Sequence, residues 1–416
     1  MFALQRFGIK LELATIVGIL NILGNPQLSY RSIHVAGTNG KGSIASSIAS
    51  ILQDSGYKVG LYTSPHLVKF NERIQINGNP IDDERVVSLY ETVCAADRGE
   101  RKATFFEFTT AMALYEFAST QVEWAIIETG MGGRLDATNS IKPDLSIITN
   151  ISLEHQTYLG NTLAQIAFEK GGIIKPSVPV VTGVTQKSVI DVIAKICREQ
   201  QAPLYRLGGD FHIRRKNNGH FDYFGIHQDI KALTTGLAGN HQFTNAAIVL
   251  AACEQLMDQG IILQQNVIRK ALKNNHWPGR LEIVSASPRV ILDGAHNLMA
   301  ARVLSDYIKN ELKEFATTLV VGILDDKPYE KMLKLLVPVC RKVILTKPKI
   351  NRALAPQKLL EVVKPINSDL EIIEDVVTAV STAIKKCRSH EAICIAGSLY
   401  VVGEAKAALS KLNDVI

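Results

Sequence analysis

The residues best suited to chemistry lie in a glycine-rich stretch with a single lysine, Gly37–Ser43 (G-T-N-G-K-G-S). The apolar run Ile33–Ala36 predicts a buried strand before it, and isoleucines at helical spacing predict a helix after it. Glycines let backbone N–H groups turn towards an anion, a helix N-terminus adds partial positive charge, and Lys41 adds a full charge. The stretch therefore predicts a phosphate-binding loop, with Gly37, Thr38, Asn39, Gly40, Lys41, Gly42 and Ser43 as its members. Its spacing departs from the standard lysine-containing pattern, and the alternative is an ordinary strand–helix turn.

Two further predicted strands end in residues that could hold a metal ion. The strand Val122–Ile127 leads into Glu128, where a magnesium ligand or a water-positioning carboxylate would lie; the alternative is a solvated strand-end acid. The strand Asp144–Asn150 is followed by Glu154 and His155, and this histidine is either a metal ligand or a core or capping residue. Ligands of open α/β sheets bind at this strand edge, so a metal site beside the phosphate loop is the functional interpretation.

Composition argues against several classes of function. The 416 residues carry 46 Lys and Arg against 40 Asp and Glu, a net charge of +6 without a basic block, which suits small anionic substrates and does not favour nucleic acid. Six cysteines without C-x-x-C spacing indicate core residues in a reducing cytosol. The apolar run Ile16–Leu23 is too short to span a bilayer, and no signal-peptide pattern is present. We expect a cytoplasmic protein without a membrane or nucleic-acid partner, and, without a coiled-coil pattern, a monomer.

Hydrophobic periodicity predicts two α/β domains, 1–278 and 279–416, with the boundary near His276–Arg280. The first contains the phosphate loop. In the second, short apolar strands alternate with helices, which predicts a smaller, doubly wound domain with a mainly parallel sheet. Two of its strands end in polar loops, Asp293–Asn297 and Gly397–Tyr400, but it lacks a phosphate loop of its own. We therefore expect a site in the cleft between the domains.

The motifs, taken in order, resemble those of the folylpolyglutamate synthase/dihydrofolate synthase family of the Mur ligase superfamily. They are G-T-N-G-K-G-S (37–43), T-S-P-H-L (63–67), N-E-R-I (71–74), G-G-R-L-D-A-T-N (132–139), E-H-Q-x-Y-L-G (154–160), E-K-G-G-I-I-K (169–175), H-Q-x-x-N-A (241–246), P-G-R (278–280), D-G-A-H-N (293–297) and G-S-L-Y-V-V-G (397–403). The set covers essentially the whole chain, and Glu154 stands where the family usually has aspartate. The resemblance implies a P-loop-containing Mur-ligase-type domain followed by a smaller Rossmann-like C-terminal α/β domain.

The resemblance implies an ATP-dependent ligase of folate metabolism that adds L-glutamate to a folate-type carboxylate. ATP would phosphorylate the acceptor carboxylate, the amine of glutamate would attack the acyl phosphate, and the products would be an amide, ADP and phosphate. The acceptor would be dihydropteroate, tetrahydrofolate or both, in a bifunctional enzyme. The segment Glu12–Thr15 departs from the family's glycine–arginine pattern beside the pterin pocket, which leaves the choice of acceptor open. The implied cofactors are ATP and Mg²⁺, with two ions, and we expect domain closure to assemble the site.

The resemblance also implies a role for each matching residue. Magnesium would be held by Ser64, Glu128 and His155. Beyond the phosphate loop, ATP would contact Asn245, Arg280 and Asp293. The pteroate would lie against Phe106, Glu107, Leu135, Asp136 and Ala137. Catalytic roles would fall to Lys41, which neutralises charge on the moving phosphoryl group, to Lys170, and to the glutamate-site residues His296, Ser398 and Arg73.

Lys170 has two possible roles with opposite charge. It matches the lysine that is carbamylated in this superfamily, and a carbamate would give an anion able to fix a second magnesium ion. As an unmodified cation in the last turn of a predicted helix, it would instead favour the helix C-terminus. The resemblance favours the carbamate.

Two other functions remain as alternatives. A Mur-type amino-acid ligase acting on a cell-wall nucleotide would be expected to carry a separate N-terminal domain, and only about thirty residues precede the phosphate loop here. A non-catalytic nucleotide-binding paralogue would not need a metal site beside the γ-phosphate. The combination that argues against it is Lys41, Glu128, His155, Lys170 and Asp293.

Overall fold

The computed structural model describes residues 12–216, 219–388 and 390–413. The chain forms two compact units. The first runs to His66 and includes Phe70–Gly236 and Gln242–His276; the second comprises Leu67–Lys69, Leu237–His241 and the chain from Trp277 onward. The predicted functional division into 1–278 and 279–416 stays a prediction.

The first unit is built on a mixed sheet whose centre carries the phosphate loop. Its strands are β1 (Arg31–Ala36), β2 (Val59–Tyr62), β3 (Ile74–Ile76), β4 (Asn79–Pro80), β5 (Trp124–Glu128), β6 (Leu145–Ile148), β7 (Val180–Thr182) and β8 (Leu204–Arg206). Their order is β4-β3-β2-β5-β1-β6-β7-β8; β3 pairs antiparallel with both β2 and β4, and all other neighbours pair in parallel. β1 lies between β5 and β6, so the loops that follow these three strands meet at one edge of the sheet.

The helices of this unit bury apolar residues. They are α1 (Ala14–Ile22), α2 (Lys41–Asp54), α3 (Asp83–Ala96), α4 (Phe105–Ser119), α5 (Gln156–Leu159), α6 (Leu163–Gly171), α7 (Lys187–Glu199), α8 (His241–Asp258) and α9 (Gln265–Asn274). Of these, α4 and α8 are buried on nearly all sides. One core joins α1, α3 and α4 to β2 and β5, and another joins α6 and α7 to β6 and β7. The helices α4 and α6 both begin with a capping box, which fixes where each helix starts.

A small antiparallel sheet lies between β8 and α8. Its strands are β9 (His212–Arg215), β10 (Phe221–Phe224) and β11 (Asp229–Leu233), in the order β11-β10-β9. The predicted hairpin over Phe211–Phe224 corresponds to β9 and β10; its predicted turn residue Asn218 lies outside the described residues. Glu254 of α8 anchors the β10–β11 turn, because its buried carboxylate accepts from the Tyr223 hydroxyl and three turn N–H groups at 2.7 to 3.1 Å.

The second unit is a doubly wound α/β fold, as predicted. Its strands are β12 (Glu282–Ala286), β13 (Arg289–Leu292), β14 (Ala316–Val321), β15 (Lys342–Lys347), β16 (Leu370–Asp375) and β17 (Glu391–Ala396), and its helices are α10 (Leu298–Glu311), α11 (Tyr329–Leu336), α12 (Pro356–Val363), α13 (Val376–Lys386) and α14 (Leu399–Asn413). The strand order is β12-β13-β17-β14-β15-β16, and only β12 is antiparallel to its neighbour. Alternate residues of β13 enter two cores: Ile291 packs with α10–α12, and Val290 with α13 and α14.

Several elements differ from the sequence-based expectation. The predicted helix Phe7–Leu23 is described only from its second half, as α1, because residues 1–11 lie outside the described part of the chain. The strands β3, β4, β8, β11 and β12 and the helices α5 and α9 were not predicted. Within the described residues, no helix is long and apolar enough to cross a bilayer.

Candidate active site

The phosphate loop joins β1 to α2, as predicted. Gly40 caps α2 with a φ of 85°, and a Cβ at this position would lie 2.8 Å from Oδ1 of Asn245. Glycine therefore suits both the backbone conformation and the space. Asn245, on α8, donates to Gln242, which donates to the Ser43 hydroxyl at 3.4 Å. Because the cap is a glycine, it places no side chain over the first-turn N–H groups of α2, where a phosphate would bind.

Two residues that follow β6 hold the phosphate loop, and neither was predicted. Asn150 accepts from the Asn39 N–H at 3.0 Å and donates to the Asn39 carbonyl at 2.9 Å. Thr149 donates its hydroxyl to the same carbonyl at 2.6 Å. The available signal was a polar pair directly after an apolar strand. Together these contacts fix the backbone from which the loop's N–H groups project.

Two lysines converge on the carbonyl oxygen of Gly37 at the start of the loop. Lys41 Nζ donates to this oxygen at 3.1 Å and to the Thr38 carbonyl at 3.3 Å. Lys170 Nζ, from the last turn of α6, donates to the Gly37 oxygen at 2.9 Å and to Glu154 Oε1 at 2.8 Å. The Lys170 side chain is only 2% exposed. Its ammonium group is therefore part of the phosphate-loop environment.

Burial and neighbouring charges oppose each other in the Lys170–Glu154 pair. Burial lowers the pKa of Lys170, while the Glu154 carboxylate opposes this shift. Burial by itself would raise the pKa of Glu154, but the charges of Lys170 and Lys41 outweigh it and lower that pKa to about 2. Glu154 is therefore a carboxylate at neutral pH. Sequence reasoning gave Glu154 no functional role and did not predict its contact with Lys170.

Glu128, at the end of β5, lies beside the phosphate loop because it pairs in register with Val35 of β1. Its Oε1 is 3.9 Å from Lys41 Nζ, and its Oε2 accepts from the Ser64 N–H at 3.1 Å. Glu128 is buried, with 5% of its surface exposed. The predicted metal ligands Glu128 and Ser64 are thus brought together next to Lys41.

His155, the third predicted metal ligand, is exposed and adopts a φ of 47° just before α5. A carboxylate and a hydroxyl suit Mg²⁺, which prefers oxygen ligands and usually retains water and substrate phosphates. No group of three or more His, Cys, Asp or Glu side chains forms a metal cage among the described residues. A magnesium ion held here would therefore take further ligands from phosphate and water.

The residues predicted to hold the pteroate lie on the loop after β5 and at the start of α4. Within the loop, Ala137 is buried and Leu135 is half-buried. Asp136 is buried and accepts from the Met131 N–H at 2.8 Å and from the Thr138 hydroxyl at 2.5 Å. Burial raises the pKa of Asp136 against the effect of these hydrogen bonds. Much of the hydrogen-bonding capacity of Asp136 is used within the loop itself.

At the start of α4, two predicted pteroate residues have different surroundings. Phe106 is half-buried, and its ring centroid lies 6.1 Å from that of Tyr62. Glu107 closes the capping box with Thr104 and forms a bidentate ion pair with Arg101, at 2.6 and 3.0 Å. Glu107 therefore has a structural role at this helix start, and its contact with substrate stays a prediction.

Arg73 lies in a single turn of 3₁₀ helix, Phe70–Arg73, and is buried. Its Nε donates to Nδ1 of His66 at 2.8 Å, and its guanidinium lies 5.3 Å from the centroid of the Phe105 ring. Burial and the Arg73 charge lower the pKa of His66 to about 4, so His66 is neutral at pH 7. The predicted role of Arg73 towards glutamate stays a prediction.

In the second unit, Asp293 follows β13 and stabilises the turn. It accepts from the N–H groups of Leu281 and Ala295 at 2.9 and 3.0 Å. Burial raises the pKa of Asp293, although the charge of Arg280 opposes the shift. Asp293 and Arg280, both predicted ATP contacts, are thus close enough to interact electrostatically.

The two predicted glutamate residues of the second unit lie on neighbouring loops. His296 is half-buried and donates from Nδ1 to the Gly294 carbonyl at 2.7 Å. Ser398 is buried and accepts at its hydroxyl from the Val401 N–H, at the start of α14. The Gly397 N–H donates to the Ala295 carbonyl at 3.1 Å and joins the two loops.

Comparisons with known proteins agree with this architecture. The Mur ligase middle domain matches residues 35–253, and the Mur ligase glutamate ligase domain matches residues 279–399. The dihydrofolate synthase/folylpolyglutamate synthase of Bacillus subtilis is 36% identical over 413 residues, which cover 96% of this chain and 95% of that protein.

Two solved structures are similar along nearly the whole chain. Escherichia coli FolC in complex with DHPP and ADP aligns with a TM-score of 0.90 and 30% identity, covering 97% of this chain and 94% of that one. The bifunctional folylpolyglutamate synthase/dihydrofolate synthase of Yersinia pestis, complexed with AMPPNP and Mn ion, aligns with a TM-score of 0.87 and 30% identity, with the same coverage. On the domain matches and these relatives, the chain belongs to the folylpolyglutamate synthase/dihydrofolate synthase family of Mur ligases.

Proposed function

We propose that this protein is an ATP-dependent ligase that joins L-glutamate to the carboxylate of a folate-type acceptor through an acyl phosphate. One observation carries the proposal: Lys41 Nζ donates to the Gly37 carbonyl of the phosphate loop and lies 3.9 Å from the Glu128 carboxylate. Phosphoryl transfer needs this combination of fixed positive charge and a metal-binding carboxylate at one point. The names of the relatives, and the complex of E. coli FolC with DHPP and ADP, support a folate-type acceptor.

The residues of the first unit would divide the work of phosphoryl transfer. The N–H groups at the start of α2 would bind the phosphates, and Lys41 would exchange its loop carbonyls for phosphate oxygens. An acceptor carboxylate oxygen would attack the γ-phosphorus as the bond to ADP breaks. Lys41 would stabilise charge on the transferred group. The amine of glutamate would then attack the acyl carbon, expel phosphate and lose a proton to form the amide.

Glu128, Ser64 and His155 would hold magnesium beside the phosphates. When bound, the ion neutralises charge on the β- and γ-phosphate oxygens. The divalent ion in the Y. pestis relative supports a metal-dependent reaction. We assign ATP and acceptor binding to residues 1–278 and glutamate binding to residues 279–416, with His296, Ser398 and Arg73 as glutamate-site residues.

We also include carbamylation of Lys170 and a second magnesium ion in the proposal. Carbamylation requires a neutral amine that attacks carbon dioxide, forms an N–C bond and loses a proton. Burial lowers the pKa of Lys170, which favours that neutral amine, whereas Glu154 opposes it. The ion pair with Glu154 and the carbamate are therefore alternative states of one lysine, and a carbamate beside Glu154 would create an anionic pair suited to a divalent cation.

The first experiment measures ADP release with Mg²⁺, ATP, L-glutamate and bicarbonate, comparing dihydropteroate with tetrahydrofolate. Turnover with both acceptors is expected for the bifunctional enzyme. Turnover with one alone would restrict the function and draw attention to the divergent segment Glu12–Thr15. No release with either acceptor would reject the folate ligase and favour another carboxylate acceptor or a non-catalytic paralogue.

A second experiment addresses Lys170. We expect ¹³C-bicarbonate to give a carbamate ¹³C resonance in the wild type and not in Lys170→Ala. Lys170→Ala should lose most activity and recover part of it with added short carboxylates. Full activity of this variant without additives would contradict the carbamate.

The proposal further includes a monomer located in the cytoplasm. Sedimentation velocity over a wide concentration range tests the first statement, and a single species of about twice the chain mass would reject it. Cell fractionation tests the second.

A further inference from the structure

We propose that His34 is a positioning residue that holds the acceptor loop, defined as residues 130–139, in register with the phosphate loop. The inference rests on the proposed function, because it assumes that this loop binds the acceptor. It concerns a histidine inside a strand core, to which no role in the reaction has been assigned above.

A buried chain of hydrogen bonds connects the strand to the loop. His34 lies on β1, three positions before Gly37, and Nε2 is 2.9 Å from the Thr138 hydroxyl. Thr138 Oγ1 is 2.5 Å from Oδ1 of Asp136. His34 and Thr138 have no exposed surface. These buried hydrogen bonds therefore connect the strand that carries the phosphate loop to the second half of the acceptor loop.

The direction of each hydrogen bond follows from Asp136. Its oxygens accept backbone N–H groups, from Met131 at 2.8 Å and from Thr138 at 3.1 Å, so the Thr138 hydroxyl donates to the carboxylate. Thr138 Oγ1 must then accept from His34, which assigns the proton to Nε2. Burial, followed by the charge of Lys175, lowers the pKa of His34 to about 3, so the ring is neutral at pH 7. The arrangement fixes one tautomer of His34.

These hydrogen bonds attach the loop to β1, whereas the Arg134 N–H and the Asn139 side chain attach it to the end of α6. Asp136 binds N–H groups near both ends of the acceptor loop, at Met131 and Thr138, and closes it into a ring. His34 is the side chain from β1 that joins this ring to the sheet. Acyl-phosphate formation requires the acceptor carboxylate within about 3 to 3.5 Å of the γ-phosphorus. A shared attachment to one rigid strand would preserve that distance.

Stability alone gives no reason for a histidine at this position. Within the described residues, Nδ1 of His34 is buried without a hydrogen-bond partner. An unpaired buried polar atom lowers stability, whereas an aliphatic side chain such as those of Ile33 and Val35 would fill the strand core without this cost. The bond to Thr138 is what the histidine supplies and an aliphatic residue cannot.

The kinetic test compares variants that remove the bond with variants that keep it. His34→Leu and Thr138→Val should each raise the KM for the acceptor about tenfold and lower kcat, with the KM for ATP changed less than about twofold. His34→Gln and Thr138→Ser, which retain a donor or hydroxyl, should stay within about threefold of wild type. The double variant His34→Leu/Thr138→Val should change the acceptor KM and kcat no more than either single variant does, because both substitutions break the same hydrogen bond.

The pattern of failure distinguishes positioning from a structural role. Wild-type acceptor kinetics in His34→Leu would reject the proposal. The proposal would also be rejected if His34→Leu raised the KM for ATP as much as the KM for the acceptor, and if both His34→Leu and His34→Gln lowered the Tm. We expect the Tm of His34→Leu to be no lower than that of His34→Gln, because leucine removes the unpaired nitrogen.

A second readout does not depend on folate turnover. Hydrogen exchange should show faster exchange at the Met131 and Thr138 amides in His34→Leu than in His34→Gln or wild type. If no folate acceptor supports turnover in the wild type, the proposed function fails, but this exchange result still decides whether His34 holds the loop. Equal protection of these amides in His34→Leu and wild type would reject the tether.

Discussion

Two corners of this molecule share a topology and differ in chemistry. In each, a buried parallel strand leads through a short glycine-containing loop into a helix at the carboxyl edge of a sheet. The phosphate-loop corner joins β1 to α2, and the Asp293 corner joins β13 to α10. Fold-level reasoning alone would give both corners the same capacity to bind an anion.

The two corners treat their helix N-termini in opposite ways. Gly40 caps α2 and has no side chain to occupy its N–H groups. Asn297 caps α10, where its Oδ1 accepts from the Ala300 N–H at 2.9 Å, and Asp293 occupies the Ala295 N–H. Protein oxygens thus already take N–H groups at the second corner that a phosphate would need.

The charges around the corners reinforce this difference. Lys41 and Lys170 both reach the phosphate loop, and with His155 they help lower the pKa of Glu154 to about 2 against the effect of burial. At the Asp293 corner, burial outweighs Arg280 and raises the pKa of Asp293. The helix start whose N–H groups are left open is thus also the one beside the lysine ammonium groups, and both features favour a phosphate there.

The largest expected effect comes from removing the cation of the phosphate-loop corner. Lys41→Ala should reduce ADP release about 10³-fold, because charge on the transferred phosphoryl group loses its fixed partner. Lys195→Ala is a matched control, since Lys195 lies 3.9 Å from Glu199, the same N–O distance as between Lys41 and Glu128, but 72% exposed. Steady-state ADP release measures both. Comparable losses in the two variants would contradict the assignment of Lys41.

The next effect concerns the buried ion pair. In CO₂-free buffer at pH 7, Glu154→Gln should lower the free energy of unfolding by up to about 3 kcal/mol, because Lys170 is left unpaired. The folded-state pKa of Glu154 is about 2, against an ordinary value of 4.5. Its stabilisation is therefore complete above about pH 4.5 and is lost as the pH falls towards 2.

Urea unfolding from pH 7 to pH 2 measures the difference in free energy of unfolding between wild type and Glu154→Gln. Glu199→Gln, which breaks the exposed pair with Lys195, should change stability by less than about 1 kcal/mol at every pH. If the difference in free energy of unfolding between wild type and Glu154→Gln grew as the pH fell, the predicted direction of the pH dependence would be wrong.

A smaller effect separates backbone strain from anion binding. Gly40 and Gly56 both have positive φ, 85° and 96°, but a Cβ at Gly40 would meet Asn245 and a Cβ at Gly56 would meet nothing within 4 Å. Alanine at either position should cost about 1 to 2 kcal/mol of stability through left-handed strain. Only Gly40→Ala should also raise the KM for ATP, by about tenfold. An equal rise in the KM for ATP in Gly40→Ala and Gly56→Ala would contradict a specific role of Gly40 in phosphate binding.

The smallest effect lies at the Asp293 corner. Asn297→Ala should destabilise the protein by about 1 kcal/mol, because the Ala300 N–H loses its cap. Asn297→Asp keeps an oxygen at the cap and should remain within about 0.5 kcal/mol of wild type. Urea unfolding of both variants makes the measurement. Equal stability of Asn297→Ala and wild type would show that this cap is not needed.

Features that depend on a local residue pattern were predicted from the sequence. Apolar runs located β1, β5, β6 and the parallel strands of the second unit, and strand ends located Glu128 and Asp293. The strand β12 was missed because it is an antiparallel edge strand in which Glu282 is the one buried residue of five. A capping-box signature was present at Thr104–Glu107, but Glu107 was interpreted only as a pteroate contact.

The contacts within the site could not be derived in the same way. Asn39 and Asn150 are 111 positions apart, Gly37 and Lys170 133 positions, and His34 and Thr138 104 positions. Each contact depends on which strands are neighbours and in which register, and residue spacing along the chain does not contain that information. The sequence therefore identified the chemistry of the site better than its supporting hydrogen bonds.

The anchoring of the small sheet by Glu254 connects that sheet to the phosphate loop through a single helix. Glu254 and Asn245 lie on the same helix, α8, about 13.5 Å apart along its axis at 1.5 Å per residue. Near one end of the helix Asn245 contacts the phosphate loop, and further along Glu254 accepts hydrogen bonds from the β10–β11 turn. A displacement of α8 at the phosphate loop would therefore also displace the β10–β11 turn and the small sheet behind it.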